Sequence, residues 1–377
     1  MKDVYITKMA TFLPNAPVKN EEIEDRLGMI NGKPSRAKNI VLRSNKIKTR
    51  YYAIDENGTV THNNAELTER AIQKLADDSF LLSQVQLLSC GTSTPDHLLP
   101  SHAAMVHGLL KNGNMEINSA SGVCCSGMNA MKYAFMAIRS GQVQYAVCTG
   151  SERASALTKA AIFEEEAAHL ETLENNPIVA FEKDFLRWML SDGAGAMLLQ
   201  DGPSGDTALK IEWIEGFSYA HEMETCMYAG GEKLEDGTLK PWSDYKGTEW
   251  NQKSVFAIKQ DVKLLGEHIL IKAVDSLQKA LSKHGITADD VDYFLPHISS
   301  YFFQEGFYET LEKNGITIPF EKWFLNLESV GNVGAASIYI MLEELMNSGT
   351  LKKGDRILLF VPESSRFSYV HTYLTVH

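Results

Sequence analysis

One cysteine in the chain has the surroundings of a nucleophile. Cys125 lies in the segment 122–128, Gly-Val-Cys-Cys-Ser-Gly-Met, where a strand-like stretch gives way to a helical one. The unpaired N–H groups and the dipole at a helix N-terminus stabilise a thiolate and thereby activate it. The alternative is the usual fate of a free cysteine, burial as a small hydrophobic residue.

Two further residues could act on the same substrate as this thiol. His297 follows the predicted strand 293–295, and open α/β sheets bind ligands at the carboxyl ends of their strands. Asn332 lies in the segment 331–334, Gly-Asn-Val-Gly, which is equally typical of a turn and helix cap. A single histidine is more commonly a capping or core residue. Each residue on its own is therefore a weak indication of a site.

An internal repeat connects these segments. Asn118 and Asn326 lie 208 positions apart, and the Ser-Gly pairs at 140–141 and 348–349 repeat with the same offset. A constant offset indicates two similar halves, which we predict to be residues 1–203 and 204–377. With this offset Cys125 and Asn332 fall at nearly equivalent positions, so pseudo-symmetry would place them face to face. The thiol would then accept an acyl group, while His297 and Asn332 would stabilise an enolate.

The elements that must position these residues alternate along the chain. Strand-like apolar runs at 85–90, 145–149, 194–199, 293–295 and 357–361 are separated by segments of helical periodicity. This alternation predicts an α/β fold.

Composition excludes several classes of function. The chain has 377 residues, 44% hydrophobic and 22% charged, with a net charge of -12. We find no basic stripe for nucleic acid and no apolar stretch long enough to span a membrane. The five cysteines fit neither a disulfide framework nor a zinc site. We therefore expect a cytoplasmic protein that binds neither nucleic acid nor membrane and holds no metal.

Several segments together resemble a known family. They are the segments that contain Cys125, His297 and Asn332, together with residues 12–14, 18–22, 47–50, 91–96, 99–101 and 191–196. The chain resembles condensing enzymes of the thiolase superfamily, in the ketoacyl-ACP synthase III group. The resemblance implies a five-layered αβαβα fold, a homodimer, acyl-CoA or acyl-ACP substrates and no other cofactor. It also implies that Cys125 is acylated and that His297 and Asn332 complete a Cys-His-Asn triad.

Three segments depart from the family pattern. The Gly-Gly-Gly loop is replaced by Pro-Glu-Ser-Ser-Arg at 362–366, so we expect the N–H groups of Ser365 and Cys125 to form the oxyanion hole. An arginine near the pantetheine channel is replaced by Phe302, which leaves carrier docking unassigned. The stretch 160–190 is longer than usual, which suits an acyl pocket, a dimer interface or a solvated acidic helix.

Glu152 is a further departure with chemical potential. It lies just past a predicted strand end, where a carboxylate could act as acid and base in a second step. The alternative is a buried ion pair near Arg153 or with Arg366.

Residues 51–55, 151–153 and 363–367 resemble the ketosynthase/cyclases of dialkylresorcinol and stilbene biosynthesis. Such enzymes join a β-ketoacyl thioester to an α,β-unsaturated one and close a cyclohexanedione ring. One alternative is an ordinary ketoacyl-ACP synthase III that starts fatty-acid synthesis from acetyl-CoA and malonyl-ACP. Another alternative is a non-catalytic partner subunit. The presence of all three triad residues argues against it.

Overall fold

The computed structural model describes residues 1–35, 37–166, 185–205 and 207–377. The strands are β1 (Tyr5–Phe12), β2 (Val18–Lys19), β3 (Thr49–Arg50), β4 (Leu87–Thr92), β5 (Glu116–Ser121), β6 (Tyr145–Glu152), β7 (Gly193–Gln200), β8 (Leu209–Ser218), β9 (Met227–Tyr228), β10 (Gly231–Lys233), β11 (Leu239–Pro241), β12 (Lys259–Gln260), β13 (Tyr293–Pro296), β14 (Arg356–Glu363) and β15 (Ser368–Val376). The α-helices are α1 (Ile23–Leu27), α2 (Lys38–Asn45), α3 (Asn64–Gln73), α4 (His102–Leu110), α5 (Cys124–Ser140), α6 (Ser155–Thr158), α7 (Gly247–Gln252), α8 (Val262–His284), α9 (Gln304–Lys313), α10 (Leu327–Val330) and α11 (Ser337–Asn347).

The main sheet has a near mirror-symmetric strand order. Nine strands of the described chain run in the order β13-β14-β15-β8-β1-β7-β6-β4-β5. On one side β4 and β6 are parallel, and β7 and β1 follow antiparallel; on the other side β13, β14, β15 and β8 repeat this arrangement. Only β5 lacks a counterpart among the described strands of this sheet. The repeat seen in the sequence is therefore visible in the topology, and the predicted boundary after residue 203 falls between β7 and β8.

The helices α5 and α11 form a central layer between the two half-sheets. Apolar side chains of α5 recur at helical spacing, from Met128 and Met131 to Ile138, and share one core with Ile338 and Leu342 of α11. An apolar stripe at this spacing covers one face of a helix. The two equivalent helices thus meet at the middle of the molecule, as the pseudo-symmetry requires.

Two outer layers complete the fold. The helices α3 and α4 pack on strands of the first half, and α8 and α9 pack on strands of the second. Strand β14 is covered on both faces: Ile357 and Leu359 contribute to the central core, whereas Leu358 and Phe360 contribute to the outer one. Successive side chains of a strand point to opposite faces, so a continuous apolar run is what a doubly covered strand needs. The layers read αβαβα, which confirms the predicted fold class.

The five strands predicted from the sequence are found with ends shifted by a few residues. Across the described residues, no helix is both long and apolar enough to cross a bilayer.

Candidate active site

A cavity of about 1010 Å³, counting the space at its mouth, lies beside the first turn of α5. Its polar lining includes predicted site residues from both halves of the chain, namely Glu152, His297 and Asn332, together with Ser93, Thr94 and Cys124. The structure therefore brings three of the sequence-predicted residues to one space.

Asn332 is fixed by the backbone on both sides. Its N–H donates to the carbonyl of Met189 at 2.9 Å, and its carbonyl accepts from the N–H of Ser191 at 2.8 Å. Its side-chain Oδ1 accepts from the N–H of Gly334 at 2.9 Å. Because the amide oxygen is already held, the Nδ2 group is the part of this side chain left to bind a carbonyl oxygen.

His297 is a neutral, buried imidazole at the end of β13. Its backbone N–H donates to the carbonyl of Phe360 on β14 at 2.8 Å, which sets its position. Burial lowers its pKa to about 4, so the ring is uncharged near neutral pH. Its Nε2 is buried without a hydrogen-bond partner in the described part of the chain. An unsatisfied ring nitrogen in a cavity is suited to a substrate oxygen.

Glu152 is buried at the end of β6 and held only by neutral donors. Its Oε2 accepts from the hydroxyls of Ser93 and Thr94 at 2.7 and 2.8 Å, and its Oε1 accepts from the N–H groups of Ser93 and Ala335 at 3.1 and 3.3 Å. Burial raises its pKa from 4.5 to about 7, against the opposing effect of these hydrogen bonds. A carboxyl group with a pKa near neutrality can both give and take a proton.

The ion pair considered as the alternative for Glu152 is not formed. Arg153 lies 3.5 Å from Asp96, and the Nε of Arg366 donates to the carbonyl of Met223 at 2.9 Å. No basic side chain among the described residues pairs with Glu152.

Cys125 lies in the first turn of α5 but faces away from the cavity. Its side chain is 1% exposed, and its Sγ contacts the carbonyls of Val361 at 3.3 Å and Ser368 at 3.6 Å. Burial, the Glu363 carboxylate and Cys124 raise its pKa well above the ordinary value. The expectation of a thiolate stabilised by the helix N-terminus is therefore wrong for this state, because burial and a neighbouring anion outweigh the helix dipole.

The predicted oxyanion hole contains a carboxylate. The N–H of Cys125 donates to Oε2 of Glu363 at 3.0 Å, and the hydroxyl of Ser365 donates to Oε1 at 2.6 Å. The carbonyl of Ser365 accepts from Cys226 N–H at 2.8 Å. The Cys125 N–H and the Ser365 hydroxyl thus contact the same carboxylate, and the role of the Ser365 N–H in an oxyanion hole stays a prediction.

Sequence reasoning missed the positions of Glu363 and Cys124. The signal for Glu363 was present, because an acidic residue replaces a family glycine segment there. Cys124, the neighbour of the predicted nucleophile, is the thiol that lines the cavity, and its pKa is raised by burial and by Glu363 and Glu152.

Apolar side chains cover the rest of the cavity on two walls. The first wall comprises Leu157, Leu186, Met189, Leu190, Met227 and Ile258. The second wall comprises Leu265, Ile269, Ala273, Phe303, Phe307 and Phe360. The walls belong largely to two different hydrophobic cores. The end of the long stretch 160–190 therefore contributes to the pocket, while its residues 167–184 lie outside the described chain. Phe302 is 67% exposed and does not line the cavity.

Two family models match the chain. Residues 281–361 match the C-terminal part of 3-oxoacyl-[acyl-carrier-protein] synthase III, and residues 87–203 match the N-terminal domain of β-ketoacyl synthase. The second match contains Cys125 and Glu152, and the first contains His297 and Asn332.

Curated relatives match over nearly the whole chain. A β-ketoacyl-[acyl-carrier-protein] synthase III of Ehrlichia ruminantium (strain Gardel) is 25% identical over 360 residues, 95% of each chain. A synthase III of Deinococcus radiodurans is 26% identical over 363 residues, 96% of this chain and 90% of the relative.

Solved structures share the fold. AbyA1, a tetronic acid condensing enzyme, has a TM-score of 0.76 at 21% identity over 99% of both chains. The 3-oxoacyl-(acyl carrier protein) synthase III of Pseudomonas aeruginosa PAO1 has a TM-score of 0.74 at 18% identity, covering 99% of this chain and 98% of its own. A variant of OleA from Xanthomonas campestris has a TM-score of 0.74 at 20% identity with the same coverage.

Proposed function

We propose a specific reaction for this chain. The chain is a condensing acyltransferase of the β-ketoacyl-ACP synthase III-like family, and it forms carbon–carbon bonds by Claisen-type chemistry. The proposal is that it joins a β-ketoacyl thioester to an α,β-unsaturated acyl thioester and closes a cyclohexanedione ring, a precursor of a dialkylresorcinol or stilbene. The observation that carries it is Glu152, a buried carboxyl group in the cavity of His297 and Asn332 that pairs with no basic side chain in the part of the chain that the structure describes.

The first step loads the enzyme. The Cys125 sulfur attacks the carbonyl carbon of one acyl thioester, the carbon–sulfur bond to the carrier breaks, and the thiol proton ends on the departing carrier thiol. CoA or an acyl carrier protein supplies the thioester, and no further cofactor takes part in the proposed cycle.

The second step forms the carbon–carbon bond. The neutral imidazole of His297 and the Nδ2 of Asn332 donate to the carbonyl oxygen of the second thioester and stabilise the enolate formed from it. Donors already fixed by β13, β14 and the backbone around Asn332 need no reorganisation during the reaction. This geometry supports a carbanion as the attacking species.

Ring closure needs proton transfers that a single condensation does not. Conjugate addition to an enoyl group places a proton on one carbon, and the subsequent cyclisation removes another from a neighbouring one. Glu152 has a pKa of about 7, so both of its protonation states are populated at neutral pH. Ser93 and Thr94 hold the carboxyl group in place for both transfers.

The two apolar walls support two acyl chains. Each wall offers six aliphatic, sulfur-containing or aromatic side chains, enough apolar surface for a hydrocarbon chain. The polar groups of the cavity would then meet the two thioester ends.

The test is the product formed from a β-ketoacyl and a 2-enoyl thioester with wild type, Glu152→Gln and Cys125→Ala. We expect Glu152→Gln to accept an acyl group but to lose the cyclic product, and Cys125→Ala to lose both. Glu343→Gln, which alters a half-buried carboxyl group outside the cavity, is the matched control. A normal yield of cyclic product from Glu152→Gln would refute the role of Glu152.

A second candidate is initiation of fatty-acid synthesis from acyl-CoA and malonyl-ACP. The names of the curated relatives favour it. The Glu363 side chain in place of a glycine loop and the large apolar cavity favour the ring-forming reaction instead. An acyclic β-ketoacyl-ACP as the sole product would select the second candidate. A homodimer and a cytoplasmic location remain predictions from the family resemblance.

A further inference from the structure

The carboxylate of Glu363 bridges the end of β14 and the first turn of α5. Its Oε2 accepts from the N–H of Val123 at 2.9 Å and from the N–H of Cys125 at 3.0 Å. Its Oε1 accepts from the hydroxyl of Ser365 at 2.6 Å. One side chain thus holds the Cys125 N–H, a donor that we expect to bind the oxyanion, and the hydroxyl of Ser365 beside it.

We propose that Glu363 is a gating residue, which occupies the oxyanion site of the resting enzyme and must release the Cys125 N–H before Cys125 can be acylated. The inference rests on the proposed role of Cys125 as the acylated thiol.

The position of the carboxylate matches that of an oxyanion. Oxyanion-hole donors lie about 2.7–3.1 Å from the charged oxygen that they stabilise, and Oε2 of Glu363 lies 3.0 Å from the Cys125 nitrogen. Two anions cannot share one donor at this distance. Acylation of Cys125 through this N–H therefore requires that Oε2 leave it, whereas Oε1 can stay on the Ser365 hydroxyl.

Glu363 is held by neutral hydrogen-bond donors: two backbone N–H groups and one hydroxyl. Its side chain is buried, and its hydrogen-bond partners among the described residues are neutral groups, with no basic side chain among them. The partial positive charge of the α5 N-terminus is the favourable term that balances its desolvation.

An ordinary helix cap would not need this residue. The N-cap residue Val123 has no side chain that could accept a hydrogen bond, and the cap instead comes from 238 positions away. The cap is Glu363 at the end of β14, two residues before Ser365, so one carboxylate contacts both the Cys125 N–H and the Ser365 hydroxyl.

The resting position also opposes thiolate formation. The Glu363 charge, after burial itself, raises the pKa of Cys125, and Cys124 acts in the same direction. Tyr369 on β15 is the other titratable group that interacts with this thiol. Release of the gate would thus free the N–H donor and ease deprotonation together.

The experiment measures alkylation of Cys125 by iodoacetamide as a function of pH, with the modified cysteine located by peptide mass spectrometry. Wild type is compared with Glu363→Gln, which keeps the shape but removes the charge, and with Glu343→Gln as the charge-matched control. We expect the profile of Glu363→Gln to move down by about one pH unit, which is about tenfold in rate at neutral pH. Acyl loading from a thioester should accelerate in parallel.

A second variant keeps the test valid if Glu363→Gln does not fold. Ser365→Ala removes only the hydroxyl that holds Oε1, so it should loosen the gate and give a smaller acceleration in the same direction. Unchanged alkylation and loading rates in folded Glu363→Gln and Ser365→Ala would overturn the gate, as would equal slowing at every pH. Acyl loading that persists in Cys125→Ala would instead refute the assignment of Cys125 as the nucleophile. This outcome is distinguishable from the two outcomes that overturn the gate.

Discussion

Gly127 of α5 and Ala335 just before α11 touch across the central layer. A Cβ on Gly127 would lie 2.4 Å from the carbonyl oxygen of Ala335, and the hydroxyl of Tyr339 donates to the Gly127 carbonyl at 2.8 Å. This contact joins the segment that carries Cys125 to the one that carries Asn332. The spacing of the two halves at the site therefore depends on a glycine at position 127, because any side chain there would collide with the Ala335 carbonyl.

We predict that Gly127→Ala destabilises the fold and prevents acyl loading. Overpacking of a tight contact lowers the free energy of unfolding by on the order of 1–3 kcal/mol. The contact cannot be relieved by a side-chain rotation here, because the atom that the new Cβ meets belongs to the backbone. Urea unfolding and acyl loading measured by intact mass would show both effects. Gly108→Ala in α4 is the control, since its added Cβ would meet no atom within 4 Å beyond its chain neighbours and the backbone of its own helix. It should stabilise the protein by about 0.5–1 kcal/mol. Equal stabilities of the two variants would contradict the tight contact.

Acyl loading should depend on Cys125 and not on its neighbour. We predict that Cys125→Ala abolishes loading, whereas Cys124→Ala retains it, because the family resemblance assigns the acylated thiol to Cys125 and not to Cys124. Intact-protein mass spectrometry with acetyl, medium-chain saturated, β-ketoacyl and 2-enoyl thioesters measures both. Preferred loading of a long β-ketoacyl or enoyl group is expected for the ring-forming reaction. Preferred loading of acetyl would favour fatty-acid initiation.

The sequence predicted the fold and most of the site, since both depend on patterns that repeat. The apolar run of β14 is a local signal, and the 208-residue offset is found by comparing the two halves of the sequence directly. The orientation of the Cys125 thiol and the Glu363 contact were not predictable, because they depend on how residues 238 positions apart meet. For Glu152 the sequence left two interpretations, and the absence of a paired cation could only be seen in three dimensions.

His297 and Asn332 should act after loading. We predict that His297→Ala and Asn332→Ala still load an acyl group on Cys125 but lose condensation by about 100-fold or more, the effect of removing a donor to a developing oxyanion. Single-turnover loading and product formation are measured separately. A loss of loading equal to the loss of product would instead assign these residues to the first step.

Glu152 should make the protein less stable as the pH rises. The pKa of Glu152 is about 7 in the folded protein and 4.5 for an exposed glutamate, as in the unfolded chain. Between pH 4.5 and pH 7 the folded protein therefore binds more protons than the unfolded chain. Stability from this group is present below pH 4.5 and is lost as the pH rises through 7, by about 3 kcal/mol in total. Glu152→Gln should therefore be more stable than wild type at pH 8 and show a weaker pH dependence. Asp192, whose pKa is about 6, keeps a residual dependence of the same sign in both proteins. Urea midpoints at pH 5 and pH 8 test this, and parallel curves for the two proteins would contradict it.

Ala273 should limit the length of the acyl chain on the second wall. It lies in α8, is buried and lines the cavity, so Ala273→Leu adds three carbon atoms to space that a substrate chain would use. We predict that this variant loads or condenses short acyl thioesters as wild type does but loses long ones by about tenfold, the cost of roughly two displaced methylene groups. Ala280→Leu, two turns further along α8 in the same core but outside the cavity, is the control for overpacking alone. Competition between short and long thioesters, with the products identified by mass, separates the two effects. Reduced use of long thioesters by both variants would indicate general disruption of α8. Unchanged use of long thioesters by both variants would show that the second wall is not part of the acyl site.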